Sequence, residues 1–269
     1  MCSRGIYFVS ETFQETRGVI IMLELKNLGK SYGKKEALRN INIRFEKGIY
    51  GLLGPNGAGK STLMNIMSDV LEPTTGELLY DDVNIKKLNE DYRSRIGYLP
   101  QRAGYYSDFT AEKTLEYFAV LRGVDKKIIK DRVDEVLKMV HLSEHKKEKL
   151  KTFSGGMKQR LGIAVTLVGN PEILILDEPT VGLDPKERLN FRNLMKELAS
   201  DKTIILSTHI VSDIDAIATY VILLKEGDMI GMEKPENAGR LIKDGSGKVG
   251  MDNITLEDVY MFYFGEEVE

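Results

Sequence analysis

A glycine-rich segment near Pro55 carries the clearest chemical signal in the sequence. It matches the pattern G-x-x-x-x-G-K-[ST] at every position and consists of Gly54, Pro55, Asn56, Gly57, Ala58, Gly59, Lys60, Ser61 and Thr62. An apolar segment, Ile49–Leu53, precedes it, and a helical pattern follows from Lys60 to Val70. Glycines let successive backbone N–H groups converge on one anion, and a helix start adds its dipole. The segment therefore predicts a phosphate-binding loop, with Lys60 on the β- and γ-phosphates and the Ser61 hydroxyl on Mg²⁺.

Two consecutive carboxylates follow an apolar run much later in the chain. The run Ile173–Leu176 leads directly into Asp177 and Glu178. Because successive residues of a strand point to opposite faces, two adjacent acids can do different work. Asp177 is expected to hold Mg²⁺ through its water shell, and Glu178 to act as the general base that polarises the attacking water. Taken alone, such a pair is more often a solvated strand end; with the phosphate-binding loop, it favours nucleotide hydrolysis.

The elements that would position these residues follow a regular order. Short apolar runs at 173–176, 203–206 and 221–224 are separated by helical stretches, which is typical of a parallel sheet covered on both faces. Ligands of such sheets bind outside the carboxyl ends of the strands, so the loop and the acidic pair are expected at one edge. Helical patterns cover residues 110–122 and 126–140.

Composition excludes several other classes of protein. The 269 residues include 38 basic and 41 acidic side chains, a net charge of −3, so no nucleic-acid partner is expected. Cys2 is the single cysteine, which rules out an internal disulfide. No apolar run approaches the roughly 18 residues that a membrane-spanning helix needs. Work at a membrane would therefore need a second, spanning chain.

A Ser-Gly-Gly segment lies between the two motifs. Ser154, Gly155 and Gly156 precede a helical run, for which Ser154 is a good N-cap. Alone, such a segment is often a flexible turn. In this order the motifs resemble those of ATP-binding subunits of ABC transporters, over about residues 23–225. The resemblance implies that Ser154, Gly155 and Gly156 cap the γ-phosphate of an ATP held by a second such subunit. The family favours Leu at Phe153 and Gln at Met157, so the match is imperfect.

Four more positions take roles from the same resemblance. Tyr32 would stack on adenine, Gln101 would contact Mg²⁺ and water, and His209 would touch the γ-phosphate. Asp184 would lie in a loop that crosses the dimer interface, and it could equally be the N-cap before Pro185. The plain alternatives for the others are a core or turn tyrosine, an exposed loop amide and a structural or solvated histidine. The expected catalytic set is Lys60, Gln101, Glu178 and His209, and the expected Mg²⁺ ligands are Ser61, Gln101 and Asp177.

The fold and domain organisation follow from the resemblance as expectations. It implies an α/β P-loop NTPase with a RecA-like parallel sheet, an antiparallel β subdomain and a helical subdomain at about 102–160. The ATP-binding domain is expected at 22–225. Residues 1–21 are expected to form an N-terminal extension, and residues 226–269 a short C-terminal appendix in which Thr255 and Asp258 resemble a capping box.

The expected function is ATP hydrolysis in an ABC transporter. Two subunits would dimerise on MgATP and drive a separate transmembrane permease from the cytoplasmic face of the membrane. The tail at 255–264 and the motif variants look like bacterial ABC-2-type exporters of drugs or peptides. The alternative is a soluble ABC-type ATPase acting on nucleic acid or ribosomes. Such proteins typically carry long coiled coils or two fused ATPase domains, and neither is visible here. The permease chooses the substrate, so this sequence does not define it.

Overall fold

The chain folds into two sheets flanked by helices. The computed structural model describes residues 23–242 and 254–265. In chain order the strands there are β1 (Leu23–Tyr32), β2 (Lys35–Phe45), β3 (Gly48–Leu53), β4 (Thr75–Tyr80), β5 (Val83–Asn84), β6 (Ile96–Leu99), β7 (Ile173–Asp177), β8 (Thr203–Ser207), β9 (Tyr220–Lys225) and β10 (Asp228–Glu233). The helices are α1 (Lys60–Met67), α2 (Ile85–Leu88), α3 (Glu90–Ser94), α4 (Ala111–Leu121), α5 (Ile129–Met139), α6 (Gly155–Leu167), α7 (Pro185–Leu198), α8 (Val211–Asp215) and α9 (Leu256–Phe264).

The larger sheet has six strands in the order β10-β9-β3-β8-β7-β6. All neighbours pair in parallel except β10, which runs antiparallel to β9. The central strands β3, β7 and β8 are buried along their whole length, as their short apolar sequences require. The smaller sheet is antiparallel, in the order β2-β1-β4-β5. The expected parallel core and antiparallel subdomain are confirmed.

Two hydrophobic cores lie on opposite faces of the larger sheet. Ile175 and Ile205 pack in the core that this sheet shares with the antiparallel sheet and α1. Their neighbours Leu176 and Leu206 pack in the other core, together with residues of α4, α5 and α6. Consecutive strand residues point to opposite faces, so each apolar pair serves both cores. Burial on both faces fixes the register of β7 and β8, and β7 leads directly into the acidic pair.

Some predicted boundaries of helices and domains differ from those in the structure. The helix expected to reach Val70 ends at Met67, because Asp69 has a left-handed backbone with φ 56°. The boundary expected between residues 225 and 226 falls in the hairpin where β10 extends the larger sheet. The capping box of Thr255 and Asp258 is present at the start of α9. The extension at 1–21 lies outside the described residues.

No helix within residues 23–242 and 254–265 is long and apolar enough to cross a membrane.

Candidate active site

The phosphate-binding loop connects β3 to α1 and is packed tightly against neighbouring strands. A Cβ atom on Gly54 would lie 2.2 Å from the carbonyl oxygen of Leu224 in β9. Gly59 caps α1 with φ 107°, and a Cβ there would meet the carbonyl oxygen of Ala37 at 2.7 Å. The loop can follow this path only because these positions lack side chains. Helix α1 consequently starts with no side-chain cap on its first N–H groups.

Lys60 lies at the mouth of this loop with only 8% of its surface exposed. Its ammonium donates to the carbonyl oxygens of Gly54 at 2.6 Å and Pro55 at 3.0 Å. Burial lowers the pKa of Lys60, and the nearby carboxylates of Glu178 and Asp177 act in the opposite direction. The loop therefore holds a cation directly beside its own converging N–H groups.

A cleft of about 240 Å³ opens over the loop. Its wall gathers most of the residues that the sequence singled out, although they come from distant parts of the chain. Tyr32 stands at its rim with 50% of its surface exposed. The lining consists of Tyr32, Lys35, Ala37, Asn56, Gly57, Gly59, Lys60, Ser61, Thr62, Gln101, Asp177 and Glu178. Lys35 and Ala37 are the members that no sequence motif indicated.

The two carboxylates reach the cleft by a different route from the one that strand alternation predicts. Asp177 is the last residue of β7, and its Oδ1 accepts a hydrogen bond from the Ser207 hydroxyl at 2.5 Å. Glu178 lies beyond the strand with a left-handed φ of 53°. Its N–H donates to the Ser207 Oγ at 3.0 Å. This turn, rather than alternation along the strand, brings both acids into one cleft. No motif in the sequence predicted the part played by Ser207.

His209 follows β8 and contacts Glu178. Its Nδ1 lies 3.0 Å from Glu178 Oε2, and its side chain is 62% exposed against 10% for that of Glu178. The histidine is therefore positioned to hold the carboxylate of Glu178, although it is not among the residues that line the cleft.

The Ser-Gly-Gly segment begins helix α6. Ser154 Oγ accepts the N–H of Met157 at 3.1 Å and caps α6 as expected. Asp184 caps α7 in a reciprocal capping box with Glu187. None of the residues Ser154, Gly155, Gly156 and Asp184 lines the cleft. The structure thus gathers the predicted residues into two separate groups.

The oxygen atoms in the cleft suit Mg²⁺ bound together with a nucleotide. No group of three or more His, Cys, Asp or Glu side chains within the described ranges could hold a metal by itself. The cleft offers the Asp177 carboxylate, the Ser61 hydroxyl and the Gln101 side chain. Mg²⁺ commonly takes one or two carboxylates and completes its shell with water and substrate phosphates. This donor set therefore fits Mg²⁺ that arrives with its phosphates.

A parallel sheet with a phosphate-binding loop and strand-end carboxylates in one cleft defines a P-loop NTPase. The sequence profile described as ABC transporter matches residues 38–181. The chain belongs to the ABC transporter family, as an ATP-binding subunit that hydrolyses ATP.

Individual relatives agree with this assignment. The linearmycin resistance ATP-binding protein LnrL of Bacillus subtilis (strain 168) is 36% identical over 213 residues, covering 78% of this chain and 68% of the relative. The bacitracin transport ATP-binding protein BcrA of Bacillus licheniformis is 38% identical over 212 residues, covering 78% and 68%. A dimeric ATP-binding cassette in a post-hydrolysis state bound to ADP and Pi superposes with a TM-score of 0.72 at 30% identity, covering 79% and 98%.

Proposed function

We propose that this chain powers a bacterial exporter of antibiotics or peptides, bound to its permease at the cytoplasmic face of the membrane. Two of its relatives are a linearmycin resistance protein and a bacitracin transport protein, which supports a substrate of that class. The observation that carries the proposal is the single cleft that holds Lys60, Ser61, Asp177 and Glu178.

The residues of the cleft divide the work of binding ATP. Tyr32 at the rim stacks on adenine, and the backbone N–H groups from Gly54 to Thr62 surround the phosphates. Lys60 leaves its loop carbonyls for the β- and γ-phosphates. Ser61, Gln101 and Asp177 would hold Mg²⁺, and the bound ion would neutralise charge on the phosphate oxygens.

Glu178 and His209 act on the bond that breaks. Glu178 takes a proton from the attacking water as the water oxygen bonds to the γ-phosphorus. The bond from that phosphorus to the bridging oxygen of ADP then breaks, and phosphate and ADP remain. His209 orients the Glu178 carboxylate and reaches towards the γ-phosphate. Burial of the Glu178 side chain limits competition from bulk water for its carboxylate.

The second group of residues completes the site of another subunit. Ser154, Gly155 and Gly156 at the start of α6 bind the γ-phosphate of an ATP in a partner's cleft, and Asp184 crosses the same interface. ATP therefore joins two subunits, and its hydrolysis releases them. The helical subdomain at about 102–160 passes this motion to the permease.

The central test of this proposal is Glu178→Gln. A carboxamide keeps the size of the side chain but cannot accept the proton, so we expect kcat to fall by about 100-fold or more while ATP affinity is retained. Steady-state phosphate release and binding of a fluorescent ATP analogue measure the two quantities. Gel filtration with MgATP should reveal a lasting dimer in this variant. Unchanged steady-state hydrolysis would show that Glu178 is not the base.

A soluble ABC-type ATPase acting on nucleic acid or ribosomes is the competing function. The two are separated by adding either permease-containing membranes or RNA and ribosomes to the wild-type chain. We expect the rate of ATP hydrolysis to rise when permease-containing membranes are added and to stay unchanged when RNA or ribosomes are added. Stimulation by RNA or ribosomes alone would favour the competing function.

A further inference from the structure

The side chain of Gln159 joins helix α6 to the backbone of the proposed general base. Its Nε2 lies 3.0 Å from the carbonyl oxygen of Pro179 and 3.4 Å from that of Glu178. Both partners are acceptors, so only the NH₂ end of the carboxamide can serve them. Gln159 lies just after the Ser-Gly-Gly segment in the sequence, where no role was expected for it.

The segment that receives this hydrogen bond has weak support of its own. Glu178 sits in the left-handed region, and Pro179 has no N–H to donate. The next backbone bond, from the Val181 N–H to the Glu178 carbonyl, is long at 3.4 Å. Ser207 fixes the N–H of Glu178 from one side. On the other side, where the chain leaves the sheet, Gln159 donates to the carbonyl oxygens of Glu178 and Pro179.

Gln159 also borders a second cavity, of about 420 Å³, between the helical subdomain and the larger sheet. Pro100, Gln101 and Tyr105 also line this cavity. Gln101 borders both this cavity and the nucleotide cleft. The carboxamide of Gln159 therefore lies between the helical subdomain and the peptide bonds that aim Glu178.

We propose that Gln159 is a positioning residue for ATP hydrolysis, which holds the Glu178–Pro179 backbone at a distance set by helix α6. The inference rests on the proposed role of Glu178. The same helix begins at Ser154, Gly155 and Gly156, so one rigid element connects the segment facing a partner's ATP to the base in its own cleft. A shift of α6 changes the aim of Glu178 without changing the contacts of Lys60 with phosphate.

Three substitutions separate the donor from the bulk of the side chain. Gln159→Met keeps the length and removes the donor, and Gln159→Glu keeps the shape and places a carboxylate against two carbonyl oxygens. Gln159→Lys keeps a donor of sufficient reach and is the matched control. Each full-length variant is assayed for kcat, for KM for ATP and for its thermal midpoint.

We expect kcat to fall about ten-fold in the Met and Glu variants, with KM within two-fold of wild type, because a displaced base slows the chemical step. Gln159→Lys should retain most of the activity, and all three should unfold near the wild-type temperature. An unaltered kcat in Gln159→Met would overturn the proposal, as would an equal loss in the Lys variant. Loss of activity in Gln159→Met with full activity in Glu178→Gln would instead refute the role of Glu178.

Discussion

The N-termini of helices α1 and α6 differ in their capping: α1 has no side-chain cap, and α6 is capped by Ser154. Helix α1 begins after Gly59 without a side-chain cap and opens into a cleft that contains a buried lysine and two carboxylates. Helix α6 begins after Ser154, whose hydroxyl already takes the N–H of Met157, and Ser154 and Gly155 are exposed. In the proposed site, the first helix start binds the triphosphate together with residues of its own cleft. Ser154, Gly155 and Gly156 at the second do not line that cleft, which is consistent with their proposed contact with the ATP of another subunit.

The glycines at the two helix starts differ in the same sense. The space beside Gly54 is filled by a backbone carbonyl, whereas a Cβ on Gly155 would meet nothing within 4 Å. Packing therefore leaves no room for a side chain at Gly54 and leaves the space beside Gly155 open, whereas Gly57 is open and a Cβ on Gly156 would lie 2.5 Å from Glu187 Oε2.

Gly54→Ala should be the most damaging change. The new Cβ would lie 2.2 Å from the Leu224 carbonyl oxygen, which belongs to a central strand pair and cannot yield easily. We expect a loss of about 3 kcal/mol in the free energy of unfolding, measured by urea denaturation. Gly155→Ala is the matched control and should unfold like the wild type. Equal stability of the two variants would refute the contrast between the two loops.

Lys60→Ala should affect binding rather than folding. A charged hydrogen bond contributes about 1.5–3 kcal/mol, so the affinity for ATP should fall by roughly 100-fold at most. Titration with a fluorescent ATP analogue measures it, and the thermal midpoint checks that the chain is folded. Retention of wild-type affinity would mean that the ammonium stays on the carbonyl oxygens of Gly54 and Pro55 when ATP binds.

Ser154→Ala should have a smaller and more selective effect. It removes a helix cap worth about 1 kcal/mol of stability and a proposed contact with the partner's γ-phosphate. We expect ATP hydrolysis to fall about ten-fold, while ATP binding to the isolated chain stays unchanged. Thr255→Ala removes an equivalent cap from α9 and should cost similar stability but no activity. Equal rates of ATP hydrolysis in the two variants would show that Ser154 acts only as a helix cap.

Much of the fold could be predicted because its signals are local. The phosphate-binding loop consists of nine consecutive residues between a strand and a helix. The apolar runs of β7, β8 and β9 predict a buried parallel sheet. The helix caps at Ser154, Asp184 and Thr255 could also be predicted, because a capping side chain and the N–H group it accepts lie three residues apart in the sequence. The ends of elements were harder: Asp69 ends α1 early by adopting a conformation that its residue type permits but does not require.

The sequence by itself predicted which groups do the proposed chemistry, because the loop, the acidic pair and the Ser-Gly-Gly segment are each recognised from adjacent residues. Only the tertiary structure decided how those groups are aimed. The Ser207 hydroxyl between Asp177 and Glu178, the Gln159 carboxamide on the Glu178–Pro179 backbone and the Leu224 carbonyl behind Gly54 join positions 19 to 170 residues apart. Such contacts depend on how the helices and strands pack against one another, and no short stretch of sequence specifies that packing.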